Sequence, residues 1–575
     1  MSTSFSVSTI TLNDGTAINP PANGMTVFIG PNNSGKSVLF RELSPRITNP
    51  TTGDTRWVSE VRSTGTGNGA EFLSWVAERG HRSWVPDAQP PRVPVLRGGH
   101  TADSAVPTDS AAEWWERGLF RELRSILVTE QWAAGRLDVR ATSQNWDHFE
   151  PAADPVQYLY EDPELQEKLS RYAVEAFGKP LVVDWTSPTF VLRVGSTGMD
   201  DRTPPPPELV QAYRGLPQLI EQGDGFKAFV QILLHTVLRP TPVVLIDEPE
   251  AFLHPPQARL LGRMLAQLPG QTQVFVATHS ADFLAGVLDA QEARPLALVR
   301  LDRSSGSPRA RQLEPDAVAE LLRTPLLRYS NISSGLFYDR VVLCEAEGDC
   351  QFFAATFDVT RDASAPHENT IFLHTNGKDR LADTARRLRT FGIPTAVIAD
   401  FDLLNNYANV RNAMTALGGT VRDMSADIKT LNDYANAERT VPTVAGFRKQ
   451  MDSVLAGRGN RQLTEKMTEK MSELIEGSSG WSVLKRSGLN ALGGDLYTTA
   501  ERLLKRSAAH GLFIVPCGEL ERWVRSVPPE NKARWLADVF SGQERWYQNP
   551  TSELREFCQQ IRSYLSHSSR VLDQP

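Results

Sequence analysis

The sequence predicts an α/β chain built on two separate parallel sheets. Three observations lead there. Met25–Ile29 is an apolar run that leads straight into Gly30-Pro31-Asn32-Asn33-Ser34-Gly35-Lys36-Ser37, which fits GxxxxGK[ST]. Far downstream a second apolar run, Val243–Ile246, ends in Asp247-Glu248. After about residue 305, further apolar runs alternate with helical stretches in the order βαβαβ, the pattern of a small parallel sheet.

Residues 5–18 alternate apolar and polar and turn at Asn13-Asp14-Gly15, which predicts a short hairpin. Gly30–Ser37 then predicts a phosphate cradle. Its glycines let backbone N–H groups close around phosphate, and the helix that follows offers its positive end. Lys36 is placed to reach the β- and γ-phosphates of a nucleotide, and Ser37 to ligate Mg²⁺. Val243–Ile246 is continuous, as in a strand buried on both faces. Asp247 is placed to hold Mg²⁺ through water and Glu248 to polarise the attacking water. A helical stretch, ARLLGRMLAQL, and a buried strand, QVFVAT, lead to His279, where an imidazole can touch a γ-phosphate.

GPNNSGKS, LIDEPEAFLHP and VFVATHS together resemble the ABC-type ATPase heads of the SMC-like and RecF-like group. The resemblance implies that Glu248 is the catalytic base, that Pro249–His254 is a loop meeting a partner subunit, and that His279 is a switch histidine. Such heads grip the opposite subunit's nucleotide with a serine-glycine-glycine signature at a helix N-terminus. Here the counterpart is Gly223-Asp224-Gly225, which keeps the backbone donors but lacks the serine. Between the two nucleotide motifs, about 45–215, lies an inserted region. It is rich in Pro, Gly and Ser over 85–110, has a four-proline run at 204–207, and places Trp114, Trp115, Trp132 and Trp146 beside helix-like stretches. No heptad run is long enough for a coiled-coil arm.

The predicted second part has strands at 341–344, 370–375 and 395–404, with helices at 348–358 and from Asp379 between them. Functional groups of such sheets gather at the carboxyl ends of the strands. Glu345 ends the first strand, and Asp349 follows four residues later. Asp400 and Asp402 stand in the third, on one face if the strand stays extended. Hard carboxylate oxygens converging at one edge suit Mg²⁺ or Mn²⁺, and a pair of such ions can activate water against a phosphodiester.

This constellation resembles a Toprim domain, and an SMC-like ATPase followed by Toprim resembles the OLD (overcoming lysogenization defect) family of nucleases. Glu345, Asp349, Asp400 and Asp402 match the Toprim motifs, while Ala346 stands where the family has glycine and Glu347 is an extra acid without a role. The strand at 512–516 with Glu519 and Glu521 fits the family's further acidic strand, with Glu519 as metal ligand. The family also uses a basic residue near the scissile phosphate, for which Lys378 and Lys532 are candidates. The implied organisation is an ABC/SMC-like ATPase domain at 1–305, a helical linker at 306–337, and a Toprim domain at 338–575 with a helical insertion at about 405–510.

Composition sets the outer bounds. A chain of 575 residues exceeds a single core, and 40% hydrophobic with 22% charged residues is an ordinary globular balance. A net charge of −7 confines any nucleic-acid site to a local basic patch; Lys449, Arg458, Arg461, Lys466, Lys470, Lys485, Arg486, Lys505 and Arg506 supply candidates among interleaved acids. Four cysteines without a CxxC pair predict reduced thiols rather than disulfides or zinc. No signal peptide and no membrane-spanning run are evident, so a cytoplasmic location is expected. The expectation is therefore an ATP- and Mg²⁺-dependent endonuclease, with Mn²⁺ as an alternative metal at the Toprim site. DNA is favoured over RNA as substrate. By resemblance the chain acts in anti-phage defence, as a homodimer or higher even oligomer, with an accessory defence protein as a further partner. The alternatives are a repair or sensor ATPase whose Toprim-like module does not cut, and an RNA-cleaving toxin.

Overall fold

The structure is a computed structural model. It describes residues 3–50, 55–78, 95–97, 105–139, 141–145, 152, 154–237, 241–268, 272–290, 293–302, 309–323, 332–362, 364, 368–375, 377–437, 443–456, 467, 471, 480–527, 531–541 and 545–571. Much of 85–110, Trp146, and Arg458, Arg461, Lys466 and Lys470 of the basic set lie outside the described residues. The chain divides into two compact units, Met1–Arg323 and Thr324–Pro575.

In chain order the strands of the first unit are β1 (Ser4–Leu12), β2 (Ala17–Ile18), β3 (Met25–Ile29), β4 (Val58–Thr66), β5 (Val95–Arg97), β6 (Ala105–Pro107), β7 (Val128–Gln131), β8 (Thr142–Gln144), β9 (Leu181–Asp184), β10 (Thr189–Val194), β11 (Val243–Asp247), β12 (Gln273–Thr278), β13 (Leu296–Asp302) and β14 (Arg309–Leu313). The central sheet has the order β14-β13-β3-β12-β11-β7. All its pairings are parallel except β13 with β14. Every residue of β3, β11 and β12 is buried, which is why these strands read as unbroken apolar runs. The predicted hairpin is present, with Thr11 opposite Ala17. Residues 309–313 are not part of a helical linker. They pair with β13 as the edge strand of this sheet, and a helix, Pro315–Arg323, follows.

Two crossover helices, Pro255–Ala266 and Ala281–Asp289, pack tightly against each other. A Cβ at Gly286 would stand 1.9 Å from the Arg259 carbonyl, so only glycine permits the approach. Within the inserted region, β8-β10-β9 form a small sheet stitched by a buried ion pair. Asp184 is wholly buried and accepts from Arg193 Nε at 2.8 Å, while Thr186 donates to it through its backbone N–H at 3.0 Å and its hydroxyl at 2.7 Å.

The second unit carries β15 (Arg340–Cys344), β16 (Thr370–His374), β17 (Thr395–Ala399) and β18 (Leu512–Ile514) in the order β16-β15-β17-β18, all parallel. The helices Glu347–Thr360 and Leu381–Thr390 make the crossovers. Between β17 and β18 the insertion is helical, including Tyr407–Ala416, Ser425–Ala437, Val444–Leu455, Gly480–Ser487 and Gly494–Ala509. Phe352, Phe353, Trp535 and Phe557 fill the core on one face. β17 is shorter than expected. The chain leaves it at Ala399, and Phe401–Asn405 is a 3₁₀ turn. Asp400 and Asp402 therefore do not alternate along a strand. Phe401 is fully buried, and its N–H donates to Gly518 O at 2.8 Å, which draws the chain into the turn.

Replacing Asp184 with Ala leaves the Arg193 guanidinium buried without its carboxylate. A loss of about 3–5 kcal/mol is expected, read as a lower urea midpoint for the first unit. An unchanged midpoint would mean that the pair does not stitch this sheet.

Candidate active sites

The register of the central sheet assembles the first site. β12 pairs Thr278 with Ile29, β11 pairs Asp247 with Ala277, and β7 pairs Gln131 with Ile246. Gly30, His279, Glu248 and Gln131 thus leave neighbouring strands at one edge. The loop Gly30–Ser37 joins β3 to the helix Lys36–Thr48. Gly35 has φ +98°, and a Cβ there would meet Trp57 Nε1 at 2.6 Å. Pro31, Asn32, Asn33 and Ser34 complete the loop, with Asn33 also at positive φ.

Lys36 is buried, and its ammonium donates to Gly30 O at 2.9 Å and Pro31 O at 2.8 Å. Burial lowers its pKa, against the nearby carboxylates of Glu248, Glu250 and Asp247. Ser37 Oγ donates to Asp247 Oδ1 at 3.1 Å, so two hard oxygens stand side by side at the loop. Burial raises the Asp247 pKa, and the Ser37 hydrogen bond opposes this. The glycine cradle, the buried ammonium and the Ser37–Asp247 pair fit Mg²⁺-ATP.

Glu248 and His279 lie at neighbouring strand ends. His279 Nδ1 is 3.5 Å from Glu248 Oε1 and 3.2 Å from Glu250 Oε1. The interaction with Glu248 raises the His279 pKa despite burial, and the same contact lowers that of Glu248. Glu250 was not singled out by sequence reasoning. It is buried and accepts from the Thr278 hydroxyl and the His279 N–H, both at 2.8 Å, while its Oε2 has no partner among the described residues. Its only sequence signal was a third acid in Asp247-Glu248-Pro249-Glu250. Arg136 was missed altogether. It lies beyond β7 and donates to the carbonyls of both Asp247 and Glu248.

Gly223 precedes the helix Asp224–Ile232, the position expected of a signature segment. A Cβ on Gly225 would stand 2.7 Å from Phe252 O, so this helix start touches the loop after Glu248. Asp224 pairs with Lys227 at 2.9 Å.

The second site lies at the carboxyl edge of the smaller sheet. Glu345 follows β15, and its Oε1 accepts the Asp400 N–H at 3.3 Å. Asp349 caps its own helix, with Oδ2 accepting the Ala346 N–H at 3.0 Å. Ala346 has φ −134°, extended backbone that needs no glycine. Glu347 turns aside to Gln351.

Lysines meet these acids. Lys532 Nζ is 2.6 Å from Asp349 Oδ1. Lys378 pairs with Asp402 Oδ1, and Lys485, from the helical insertion, is 3.3 Å from Asp402 Oδ2. Both predicted basic residues are thus in the site, and Lys485 joins them. Glu519 starts the 3₁₀ turn Leu520–Trp523, and its Oε1 is 3.6 Å from Arg522 Nε.

The electrostatics are those of crowded acids. Burial pushes Glu345 up to about 7, helped by Asp402 and Asp349 and opposed by Lys378. Burial, then Glu345 and Asp349, hold Asp400 well above the carboxylate range. Burial and Glu521 raise Glu519. Burial disfavours the Lys532 charge, yet Asp349, Asp400 and Glu521 outweigh it and raise the lysine overall. Among the described residues, no three His, Cys, Asp or Glu side chains close on one metal-sized point. Lysines hold Asp349 and Asp402 in directions a shared cation would change. The donor set is nonetheless all hard oxygen with unrelieved repulsion, which fits Mg²⁺ or Mn²⁺.

Comparison with known proteins agrees with this division. The model of the family described as "AAA domain, putative AbiEii toxin, Type IV TA system" matches residues 213–285. That described as "Overcoming lysogenization defect protein-like, TOPRIM domain" matches residues 336–402. No curated protein matches. Among solved structures, an Smc head bound to the C-winged helix domain of ScpA aligns with 54% of this chain and 98% of its own, at 11% identity and TM-score 0.32. The SMC head domain from Thermotoga maritima aligns with 54% and 99%, at 12% identity and TM-score 0.26. CbiO1 from Clostridium perfringens, part of an ABC transporter complex, aligns with 57% and 97%, at 13% identity and TM-score 0.26. The chain joins a P-loop ATPase domain to an OLD-like Toprim nuclease domain, consistent with an OLD-family ATPase–Toprim fusion. No helix among the described residues is long and apolar enough to cross a membrane.

A carboxyl whose folded pKa lies above its ordinary 4.5, at about 7, contributes stability that is full below 4.5 and is lost as pH rises through 7. Glu345→Gln should therefore be more heat-stable than the parent above pH 7 in EDTA, with the difference vanishing toward pH 4.5. Melting curves across that range would show a pH-independent offset if Glu345 did not carry this burden.

Proposed function

We propose that this protein is an ATP-controlled, metal-dependent endonuclease of OLD type that cuts DNA in defence against phage. The observation that carries this is the placement of Glu345 and Asp400 just past adjoining strands, with Asp349 in the first turn of the helix after Glu345; burial, with Asp402 and Asp349, raises the pKa of Glu345, and burial, with Glu345 and Asp349, raises that of Asp400. Such a site gains free energy from a divalent cation. Glu345, Asp349, Asp400, Asp402 and Glu519 would hold Mg²⁺ or Mn²⁺, which supplies an activated water and a stabilised leaving oxygen. A cation held there would compete with Lys532 for Asp349 and with Lys378 for Asp402. Each ammonium is then available to the scissile phosphate, and Lys485 to the phosphate backbone beside it.

In the first unit, Lys36 and the loop N–H groups would bind the nucleotide phosphates, and Ser37 and Asp247 would hold Mg²⁺. Glu248 orients the attacking water, and His279 stands at the γ-phosphate. A second head completes the site across a homodimer or higher even oligomer. Support for this lies in Gly223, whose missing Cβ faces open space, and in Phe252, which is 49% exposed at φ +71°. The defence role rests on the OLD resemblance alone, as does an accessory defence protein. A second reading, an RNA-cleaving toxin, draws on the toxin named in the description of the matched ATPase family.

Plasmid DNA and tRNA, each incubated with Mg²⁺ or Mn²⁺ with and without ATP, separate these readings. Nicked or linear plasmid with intact tRNA is expected; cut tRNA alone would favour the toxin, and neither cut would leave a non-cutting ATPase. Asp400→Ala should abolish cleavage while ATP turnover persists, and nicking that survives this change would remove the proposed nuclease site. Glu248→Gln should lower ATP turnover by roughly 10²-fold or more while nucleotide still binds. Wild-type turnover in that variant would refute Glu248 as the base.

A further inference from the structure

We propose that Arg136 is a positioning residue for ATP hydrolysis, fixing the backbone of Asp247 and Glu248 so that the Glu248 carboxylate faces the attacking water. This rests on the reading of Glu248 as the base. Arg136 follows the 3₁₀ turn Ala133–Gly135 just past β7, where the inserted region continues from the central sheet. Its side chain is fully buried. One guanidinium nitrogen, Nη1, donates to Glu248 O; the other, Nη2, donates to Asp247 O and, at 3.4 Å, to Gln131 O.

Three features set this contact apart from ordinary packing. First, Glu248 has φ +49°, a conformation that side chains other than glycine adopt only when their surroundings impose it. Its N–H is tied to Ala277 O at 2.8 Å and its carbonyl to Arg136, so both backbone groups of this strained residue are held. Second, the guanidinium is planar and grips two successive carbonyls at once, which a lysine ammonium cannot reproduce. Third, the arginine is costly to bury. Desolvation pulls its pKa down to about 10 even though Glu250, Asp247 and Glu248 lie near, and its Nε has no partner among the described residues. An apolar side chain would fill the same space without that cost, so the charge and the fork have a use at this position.

The consequence is a mechanical link. Whatever moves the segment after β7 moves the carbonyl of the catalytic glutamate. The inserted region, which shares no residue with the nucleotide loop, thereby gains a backbone link to the catalytic glutamate.

Full-length Arg136→Met, Arg136→Lys, Glu248→Gln and the double variant Arg136→Met/Glu248→Gln test this. Steady-state ATP turnover gives kcat, and a fluorescent N-methylanthraniloyl-ATP titration gives nucleotide affinity. Arg136→Met should lose about 10²-fold in kcat, the scale of a small misplacement of a catalytic group, with affinity within about threefold of the parent. The double variant should lose no more than Glu248→Gln alone, because Arg136 acts only through Glu248. Arg136→Lys, which keeps the charge without the fork, is read by the same criteria and replaces Arg136→Met should that variant not fold. A parental kcat in a folded Arg136 variant, a loss confined to affinity, or a double variant worse than Glu248→Gln by the full Arg136 factor would each overturn the inference. If Glu248→Gln itself turns over ATP normally, the base assignment falls and takes this inference with it; if only the Arg136 variants do, the base assignment stands.

Discussion

Carboxylates set at the carboxyl ends of buried parallel strands must be met by positive charge, and both units of this protein are arranged around that requirement. The strands that lead to these acids are largely buried and carry the chain into a desolvated edge. An acid placed there cannot be relieved by water alone. In the first unit, Lys36, His279 and Arg136 answer Asp247, Glu248 and Glu250. In the second, Lys532, Lys378 and Lys485 answer Asp349 and Asp402, while Glu345 and Asp400 remain poorly compensated. The residual imbalance in the second unit is what makes a divalent cation its natural occupant.

The two edges solve the problem differently. The first is tightly prearranged: a glycine loop, a buried ammonium, a strained glutamate and an arginine fork all point at one small volume. Binding there has little left to reorganise. The second is held by exchangeable lysines, so its acids are directed toward internal partners. On the proposed reading, a cation entering there would displace those ammoniums, which could then meet phosphate. An acidic site that carries its own displaceable cations can thus change from self-neutralised to substrate-binding with no change of fold.

Much of this was legible in the residues. The apolar runs at Met25–Ile29 and Val243–Ile246, and the stretch QVFVAT, became the buried strands they promised, because a parallel strand covered on both faces leaves no room for alternation. Glu345 and Asp400 were placed by the same logic. Asp402 was not: Asp-Phe-Asp looked like alternation, but Phe401 is drawn into the core and the chain turns. The edge strand Arg309–Leu313 was hidden because a polar edge strand has one partner and little apolar signature. Arg136 was illegible, since a lone arginine in an irregular region carries no spacing. Only the three-dimensional position of two carbonyls gives it meaning.

The central claim is that the acids of the second unit form a cation site. Mn²⁺ binding followed by electron paramagnetic resonance in a Lys36→Ala protein without nucleotide tests it most directly, because the other metal position then lacks its phosphates. The account predicts bound Mn²⁺ that tightens as pH rises from 6 to 8 through the Glu345 transition at about 7, and that is lost in Asp400→Asn. Mn²⁺ that stays free, or that binds equally well without Asp400, would contradict it.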